Sequence, residues 1–367
     1  MAIQRLIALD VLRGLTIALM IMVNTPGSWS YVYPPLLHAK WHGCTPTDLV
    51  FPFFLFIVGV SMFYSFKKFD KGISVTSFKK VIKRTLIIFL LGLFLNLFPK
   101  FDFENVRILG VLQRIAIVYG LTALLCLQFN VKVLKYVFVS ILLGYWGLLY
   151  FGNPIDSFAE TGNLVQQLDF AILGENHMYK GLGFTFDPEG LLSSLPSIAT
   201  VLLGYFVGNI IENSKNTLNT VKSLVVYGVI LTVIGLVWGT VFPINKSLWT
   251  STYVLYTGGL ALLFLALLLW VIDVKGVRKW TRPFIHFGIN PLFIYMFSGL
   301  YVQIIIYLIK IKGDNGETIS GYGYLYNHIF VPIAGNMNGS LLFAITHIIF
   351  FWFLTYILYK RKIFIKI

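Results

Sequence analysis

The chain has 367 residues, of which 57% are hydrophobic and only 12% are charged. Soluble domains carry about 25% charged residues, and a soluble fold cannot bury so large an apolar fraction. This composition excludes an ordinary soluble protein and predicts an all-α, polytopic integral membrane protein. Aromatic residues make up 17% of the chain, which suits lipid-facing surfaces and interfacial belts.

Apolar stretches near the ~20 residues needed to cross a bilayer recur along the whole chain. We predict about ten transmembrane helices, near residues 7–28, 47–66, 81–98, 106–128, 133–151, 190–211, 222–242, 251–272, 284–309 and 340–359. Residues 329–339 are a further candidate for a re-entrant segment. No soluble domain or internal repeat interrupts the pattern, so we expect residues 1–367 to form a single transmembrane domain.

The positive charges behind the net charge of +14 are concentrated on one side of the predicted membrane region. Most of the 29 Lys and Arg residues fall in alternate loops, and the positive-inside rule places such loops in the cytoplasm. An even number of helices then places both termini in the cytoplasm. We favour this interpretation over nucleic-acid binding, and expect the lipid bilayer rather than nucleic acid as a partner.

The loops on the opposite side differ in composition. They are rich in Trp, Tyr, Gly and polar residues, and comprise residues 29–46, 152–189, 243–249 and 313–328. The basic loops are short and are explained by topology alone. This asymmetry predicts that a polar ligand, most simply a carbohydrate, is handled on the outer face.

Charged residues inside predicted helices need a partner or a purpose. Asp10 and Arg13 are three apart and share a helical face, so they either form an ion pair that locks packing or leave Arg13 to hold a buried anion. In VRILGVLQR, Arg107 and Arg114 are expected two turns apart on one face, with Gln113 beside Arg114. Arginine at the depth of Arg114 suits phosphate or carboxylate binding, whereas Arg107 also fits an interfacial side chain.

His38 is the strongest candidate for chemistry. It lies in LLHAKWHGCTPTDLVFPFF, ten residues before Asp48 and after Asn24, which ends the first helix. Histidine exchanges protons near neutral pH, and a carboxylate fixes its tautomer. His42 is a rival that spacing barely separates from His38, and a lone interfacial histidine also fits a structural role.

Several other site types are excluded. The sequence has no G-x-S-x-G elbow, no H-E-x-x-H pair, no P-loop and no Rossmann fingerprint. The two cysteines, Cys44 and Cys126, are expected at opposite ends of the membrane region and do not suggest a disulfide. No metal site is predicted.

Several dispersed blocks resemble one known family. LDVLRGLTIALMIMVN, LLHAKWHGCTPTDLVFPFFLFIVG, VRILGVLQR, FDPEGLLSSLPSI and FPINKSLWTSTYVLYT, with the tail YILYKRKIFIKI, resemble the heparan-α-glucosaminide N-acetyltransferase family and its bacterial homologues, within a wider superfamily of transmembrane acyltransferases. The blocks occur in order over nearly the whole chain. The resemblance implies transfer of acetyl from cytosolic acetyl-CoA to the amino group of a glucosamine-type sugar on the outer, periplasmic side of a bacterial inner membrane.

The resemblance also implies residue roles. The family's catalytic histidine maps onto His38 rather than His42, with Asn24 and Asp48 as its partners. The expected coenzyme A contacts are Arg13, Arg107, Gln113 and Arg114, and the expected sugar contacts are Asp187, Glu189, Asn245, Lys246 and Trp249. For DPEG (187–190), a turn that starts the next helix at Pro188 is an equal alternative to sugar binding.

Other interpretations remain open at this stage. An amino-sugar transporter or permease would share the scaffold without the chemistry, and a sugar O-acetyltransferase would differ only in its acceptor. His38 acts either as a base or as an acetylated intermediate. The oligomeric state is not fixed by the sequence, and a homodimer is left open.

Overall fold

The computed structural model describes residues 6–69, 72–153, 156–312 and 317–365; residues 313–316 of the predicted outer loop 313–328 lie outside it. Helices dominate, with one antiparallel pair of short strands, β1 (Lys310–Lys312) and β2 (Thr318–Ser320). The helices are α1 (Ile7–Asn24), α2 (Val50–Phe66), α3 (Val75–Leu97), α4 (Val111–Gln128), α5 (Val131–Gly152), α6 (Leu164–Leu173), α7 (Ser194–Asn213), α8 (Thr217–Trp238), α9 (Ser251–Leu269), α10 (Arg282–Ile289), α11 (Pro291–Gln303), α12 (Gly321–Leu325) and α13 (Val331–Lys360).

Within the described ranges, nine helices are long and apolar enough to cross a membrane. They confirm the prediction of a polytopic all-α membrane protein. The tenth predicted segment, 81–98, lies in α3, which is 23 residues long. It is not among the nine because its first half carries four charged residues, Lys79, Lys80, Lys83 and Arg84.

Most predicted helices begin or end at other residues in the structure, and two of these differences matter most for the architecture. The segment 106–128 becomes helical only at Val111, so Arg107 lies in the preceding loop and does not share a helical face with Arg114. The segment 284–309 is divided at Asn290 into α10 and α11, because the residue before a proline, here Pro291, disfavours the helical region. The candidate re-entrant stretch 329–339 is helical, except at Gly335, whose φ of 73° interrupts α13.

Glycine allows the central helices to approach closely. A Cβ atom at Gly59 of α2 would lie 1.9 Å from the carbonyl oxygen of Val201 in α7. One at Gly204 of α7 would lie 2.0 Å from the carbonyl oxygen of Phe56 in α2. Such small residues let helix backbones pack tightly in membranes. The α2–α7 pair therefore forms a rigid support for the loop that precedes α2.

The loops divide into two groups at opposite ends of the helices. We call the end that carries residues 25–49, 98–110, 156–193 and 239–250 the loop face, and the end that carries residues 67–69, 72–74, 214–216 and 275–281 the basic face. Hydrogen bonds join the loop-face segments: Gly43 N–H donates to Ile244 (2.7 Å), and the Trp41 indole donates to the carbonyl of Phe158 (2.8 Å). These bonds bring distant loops together around one cavity.

Candidate active site

A cavity of about 290 Å³ opens at the loop face between α1, α2 and α4. We call it the loop-face cavity. Its polar wall includes Asn24, His38, Asp48, Arg107, Glu189 and Lys246, and its apolar wall includes Phe54, Ile115 and Leu292. Three of these residues, Asn24, His38 and Asp48, are the predicted catalytic group. The structure therefore brings that group to one place.

The Asp48 carboxylate is buried and held by the loop before α2. It lies in a 3-10 turn, Pro46–Leu49, and is 1% exposed. The backbone N–H groups of Ala39 and Thr45 each donate to Oδ2 at 3.0 Å, and the Thr45 hydroxyl donates to it at the same distance. Thr45 caps the turn, and these bonds fix the carboxylate in one orientation.

His38 is the partner of that carboxylate. Its Nδ1 lies 2.6 Å from Asp48 Oδ1, while 49% of the side chain is exposed. With a carboxylate accepting from Nδ1, the proton belongs on Nδ1 and the lone pair on Nε2 is available as a base. The geometry thus presents a carboxylate-oriented imidazole to the cavity.

The structure distinguishes His42 from His38 as candidate bases, which their spacing in the sequence does not. The Nδ1 atom of His42 lies 3.3 Å from the Asn245 amide nitrogen, and His42 does not line the cavity. Burial lowers the pKa of His42, although the negative charges of Asp156 and Glu160 oppose this effect. An imidazole without a hydrogen-bonded carboxylate is the poorer base of the two.

Arg107 is neutralised by two carboxylates. Its Nε lies 3.0 Å from Asp187 Oδ2, and its Nη2 lies 2.6 Å from Asp187 Oδ1 and 2.5 Å from Glu189 Oε2. Burial lowers the pKa of Arg107, but these two acids outweigh it and raise the pKa above its ordinary value. An arginine so paired is poorly placed to bind phosphate. Its predicted role as a coenzyme A contact does not fit this geometry.

Arg114 and Gln113 are fully buried outside the cavity lining. Arg114 donates to the Ser193 hydroxyl and to the Gly190 carbonyl (3.2 Å), and its guanidinium lies 5.0 Å from the centre of the Trp249 ring. Gln113 faces Gly92 and Gly110. These positions support the packing of α4 against the DPEG turn and disagree with the predicted contact to coenzyme A.

Two predicted sugar contacts also lie outside the cavity lining. Trp249 is 1% exposed, and its indole donates to Thr200 at 3.1 Å, so it has no free face for a sugar ring. Asn245 is buried and accepts from Leu248 N–H at 2.8 Å. Of the predicted sugar contacts, Glu189 and Lys246 line the cavity, and Asp187 contributes through its bonds to Arg107.

A second cavity, of about 580 Å³, lies towards the basic face. We call it the basic-face cavity. Arg13 lines it and forms the predicted ion pair with Asp10 (3.2 Å), while also donating to the Ser61 hydroxyl (2.8 Å) and the Gly288 carbonyl (3.2 Å). Arg13 is thus both a packing element and part of a cavity wall, so both interpretations of this residue survive.

A basic groove of about 420 Å³ adjoins the basic-face cavity and shares Ser65, Arg84 and Tyr119 with it. The groove also contains Lys68, Lys80 and Lys83. In the sequence these cations indicate only topology. Lys80, Lys83 and Arg84 are clustered in the N-terminal half of α3, and this clustering was the available signal for a binding role, since such a cluster is also typical of an anion site.

The two cavities meet inside the helical region. Phe54, Ile115 and Leu292 line both of them. The C-terminal segment after α13 forms part of the basic-face cavity, because Ile365 lines it. The Asn290 side-chain amide holds this segment: it donates to the Ile363 carbonyl (3.0 Å) and accepts from Ile365 N–H (2.8 Å). The apolar side chains of Phe54, Ile115 and Leu292 therefore lie between the basic-face cavity and the cavity that holds His38.

Comparisons with known proteins agree with the resemblance. A sequence model of the family described as heparan-alpha-glucosaminide N-acetyltransferase, catalytic, matches residues 5–238. Heparan-alpha-glucosaminide N-acetyltransferase of Homo sapiens is 28% identical over 425 aligned residues, covering 99% of this chain and 60% of the human protein. The Mus musculus protein of the same name is 26% identical, covering 99% of this chain and 61% of the mouse protein. The chain thus spans about three fifths of the length of the curated relatives it matches.

Proposed function

The chain belongs to the heparan-alpha-glucosaminide N-acetyltransferase family, and we propose that it transfers acetyl from acetyl-CoA to the amino group of a glucosamine-type sugar. The donor enters from the basic face, which is cytoplasmic, and the acceptor binds at the loop face, which is periplasmic in a bacterial inner membrane. One observation carries this proposal. It is the 2.6 Å contact between His38 Nδ1 and the buried Asp48 carboxylate, in a cavity that opens towards the loop face.

The proposed chemistry follows from that pair. An amine attacks a thioester only as the neutral base, and it loses a proton as the new C–N bond forms. His38 Nε2 takes that proton, and Asp48 stabilises the resulting imidazolium. Asn24 lines the same cavity and donates to the acetyl oxygen as it gains negative charge. The imidazole then returns the proton to the departing coenzyme A thiolate.

The donor route is proposed from the two cavities and the basic groove. Coenzyme A carries phosphates, and the groove provides Lys68, Lys80, Lys83 and Arg84 at the basic face. Its slender thioester arm would run through the basic-face cavity past Arg13. The acetyl end would reach His38 by passing between Phe54, Ile115 and Leu292. Arg84 and its neighbours thus replace Arg107 and Arg114 as the proposed phosphate contacts.

The acceptor side is proposed from the loop-face wall. Glu189 is held in place by Arg107, and its carboxylate accepts hydrogen bonds from sugar hydroxyl or amino groups. Tyr179, whose ring lies 4.6 Å from the Arg107 guanidinium, gives the wall an aromatic surface. Such mixed polar and aromatic walls suit a sugar ring better than an apolar ligand.

The test uses purified protein reconstituted in liposomes, radiolabelled acetyl-CoA and a panel of amino sugars and their hydroxyl analogues. We expect label to appear on glucosamine-type acceptors as an amide. Label on the hydroxyl analogue as an ester would favour the O-acetyltransferase. Acceptor uptake into the liposomes without labelling would favour the transporter, and the proposed function would be wrong.

A further inference from the structure

Lys246 reaches the reacting end of the loop-face cavity from a loop far away in sequence. Its Nζ lies 3.0 Å from His38 Nδ1, 3.4 Å from His38 Nε2 and 3.4 Å from Asp48 Oδ1. Only 20% of its side chain is exposed. Among the residues predicted to hold the sugar, Lys246 contacts the catalytic imidazole itself.

The loop that carries Lys246 is built to hold it there. The Asn245 N–H donates to the Thr250 hydroxyl at 3.0 Å, and the Trp249 N–H donates to the Lys246 carbonyl at 3.0 Å. The Gly43 N–H donates to the Ile244 carbonyl, which joins this loop to the segment that carries His38. These bonds hold the backbone of Lys246 close to the segment that carries His38.

This position differs from that of a sugar contact. An ammonium that held a peripheral hydroxyl would extend away from the imidazole into the open part of the cavity. The Lys246 ammonium lies against both ring nitrogens, where the amine, the carbonyl and the leaving sulfur must meet. Because Nζ lies 3.4 Å from His38 Nε2, a carbonyl attacked by an amine at Nε2 can also come within hydrogen-bond reach of Nζ.

We propose that Lys246 is a catalytic residue that donates a hydrogen bond from Nζ to the carbonyl oxygen of the acyl group as that oxygen becomes an oxyanion. This inference rests on the proposed function, and it moves Lys246 from the sugar-binding group to the reacting centre. It acts together with Asn24, the other proposed donor to that oxygen.

The step balances with groups already in the cavity. The amine nitrogen forms a bond to the acetyl carbon, the carbonyl π electrons move to oxygen, and the amine proton passes to His38 Nε2. The C–O double bond then re-forms, the C–S bond breaks, and the thiolate takes the proton from His38. Lys246 remains an ammonium throughout and only donates a hydrogen bond.

The charges also balance at the tetrahedral stage. The oxyanion and Asp48 are negative, while Lys246 and the His38 imidazolium are positive. The Lys246 ammonium lies 3.4 Å from the Asp48 carboxylate, and this attraction opposes its repulsion by the neighbouring imidazolium. Removing Lys246 leaves the tetrahedral stage with an excess negative charge, so the loss falls on the transition state rather than on substrate binding.

The experiment compares Lys246→Met and Lys246→Arg with the parent and with Lys180→Met. Lys180 is an exposed lysine of the loop face outside the cavity lining, so Lys180→Met removes an equal charge without altering the cavity wall. Steady-state transfer gives kcat and the KM of the sugar. Hydrolysis of acetyl-CoA by water, measured without sugar, reports on the attack at the acetyl group without a contribution from sugar binding. Thermal transitions check that each variant is folded.

For Lys246→Met we expect kcat to fall about 100-fold or more, the typical loss for an oxyanion donor, with less than a threefold change in the KM of the sugar. Sugar-free hydrolysis should fall by a similar factor, and Lys246→Arg should recover part of it. If the KM of the sugar rose while kcat and the hydrolysis rate stayed equal to those of the parent, Lys246 would be a sugar-binding residue and the proposed role would be wrong. Equal losses in Lys180→Met would show a general charge effect and overturn the role. A parent that neither transfers nor hydrolyses acetyl would contradict the proposed function and the role together.

Discussion

The Nδ1 atom of His38 lies 2.6 Å from Oδ1 of Asp48, and the other carboxylate oxygen is held by the N–H groups of Ala39 and Thr45. The orientation of the imidazole is thus set by the backbone on both sides of the loop. A histidine held in this way needs little rearrangement before it accepts a proton.

Asp48→Asn tests that relationship. The amide keeps the shape of the carboxylate, but its NH₂ group can donate to Nδ1 and so place the ring proton on Nε2, which is the wrong tautomer for a base. We expect kcat to fall by at least about 100-fold, with a smaller loss than in His38→Ala. The KM for acetyl-CoA should stay within threefold. A parent-like kcat in Asp48→Asn would remove the carboxylate from the mechanism.

Arg107→Ala tests the buried ion pairs at the loop face. Removing the guanidinium leaves Asp187 and Glu189 buried without their partner, which typically costs about 3–5 kcal/mol. We expect a clear fall in the thermal transition in detergent. The control is Arg278→Ala, whose half-exposed guanidinium lies 3.6 Å from Asp273 and should matter little. Similar small shifts in both variants would show that the Arg107 cluster adds no stability.

Arg84→Ala tests the proposed phosphate contacts of the basic groove. We expect the KM for acetyl-CoA to rise about tenfold, because a cation–phosphate hydrogen bond contributes roughly 1.5–3 kcal/mol, while the KM for sugar stays constant. Lys222→Ala, which removes an exposed cation near the start of α8, is the control and should change neither value. Indistinguishable effects in the two variants would place the phosphates elsewhere.

Asp169 predicts a pH dependence of stability. Burial raises its pKa to about 7, with the Asp187 charge adding to this effect and the Leu191 N–H and Arg114 opposing it. The ordinary value is about 3.9, so the folded state favours the protonated acid. The contribution of protonated Asp169 to the stability of the folded state is complete below about pH 4, and it is lost as the pH rises through about 7.

Asp169→Asn remains neutral and should lose that dependence. We expect the transition temperature of Asp169→Asn to rise relative to that of the parent as the pH rises from about 4 to 7. Above pH 7 the difference between the two temperatures should stay constant. The control is Asp156→Asn, which changes an exposed carboxylate in the same outer segment. A gap between Asp169→Asn and parent that does not vary with pH would contradict the buried, protonated acid.

The helices and the His38–Asp48 contact could be predicted from the sequence for different reasons. Apolar runs of the length of a bilayer specify membrane helices directly, and the structure contains them. The approach of His38 to Asp48 could be expected because both belong to one short segment that ends at a helix. In such a case local spacing limits how far apart the side chains can lie.

The other site residues depend on long-range packing, which spacing does not encode. Arg107 was placed on a helical face, but α4 begins only at Val111, so Arg107 meets Asp187 instead. Trp249 looked like a sugar-stacking residue, yet its φ of 49° and its bond to Thr200 turn it into the core. Lys246 reached His38 across 208 residues of sequence. No local pattern could have predicted these three positions.

The most direct test of the central claim is the rate of acetyl transfer by His38→Ala. Parent, His38→Ala and His42→Ala are purified in the same detergent, matched by thermal transition, and assayed with labelled acetyl-CoA and glucosamine. Loss of a general base typically costs about 100- to 10,000-fold, so we expect a loss of that size in His38→Ala and a loss below tenfold in His42→Ala. A folded His38→Ala variant that transfers acetyl at near the parent rate would contradict the assignment of His38 as the catalytic base.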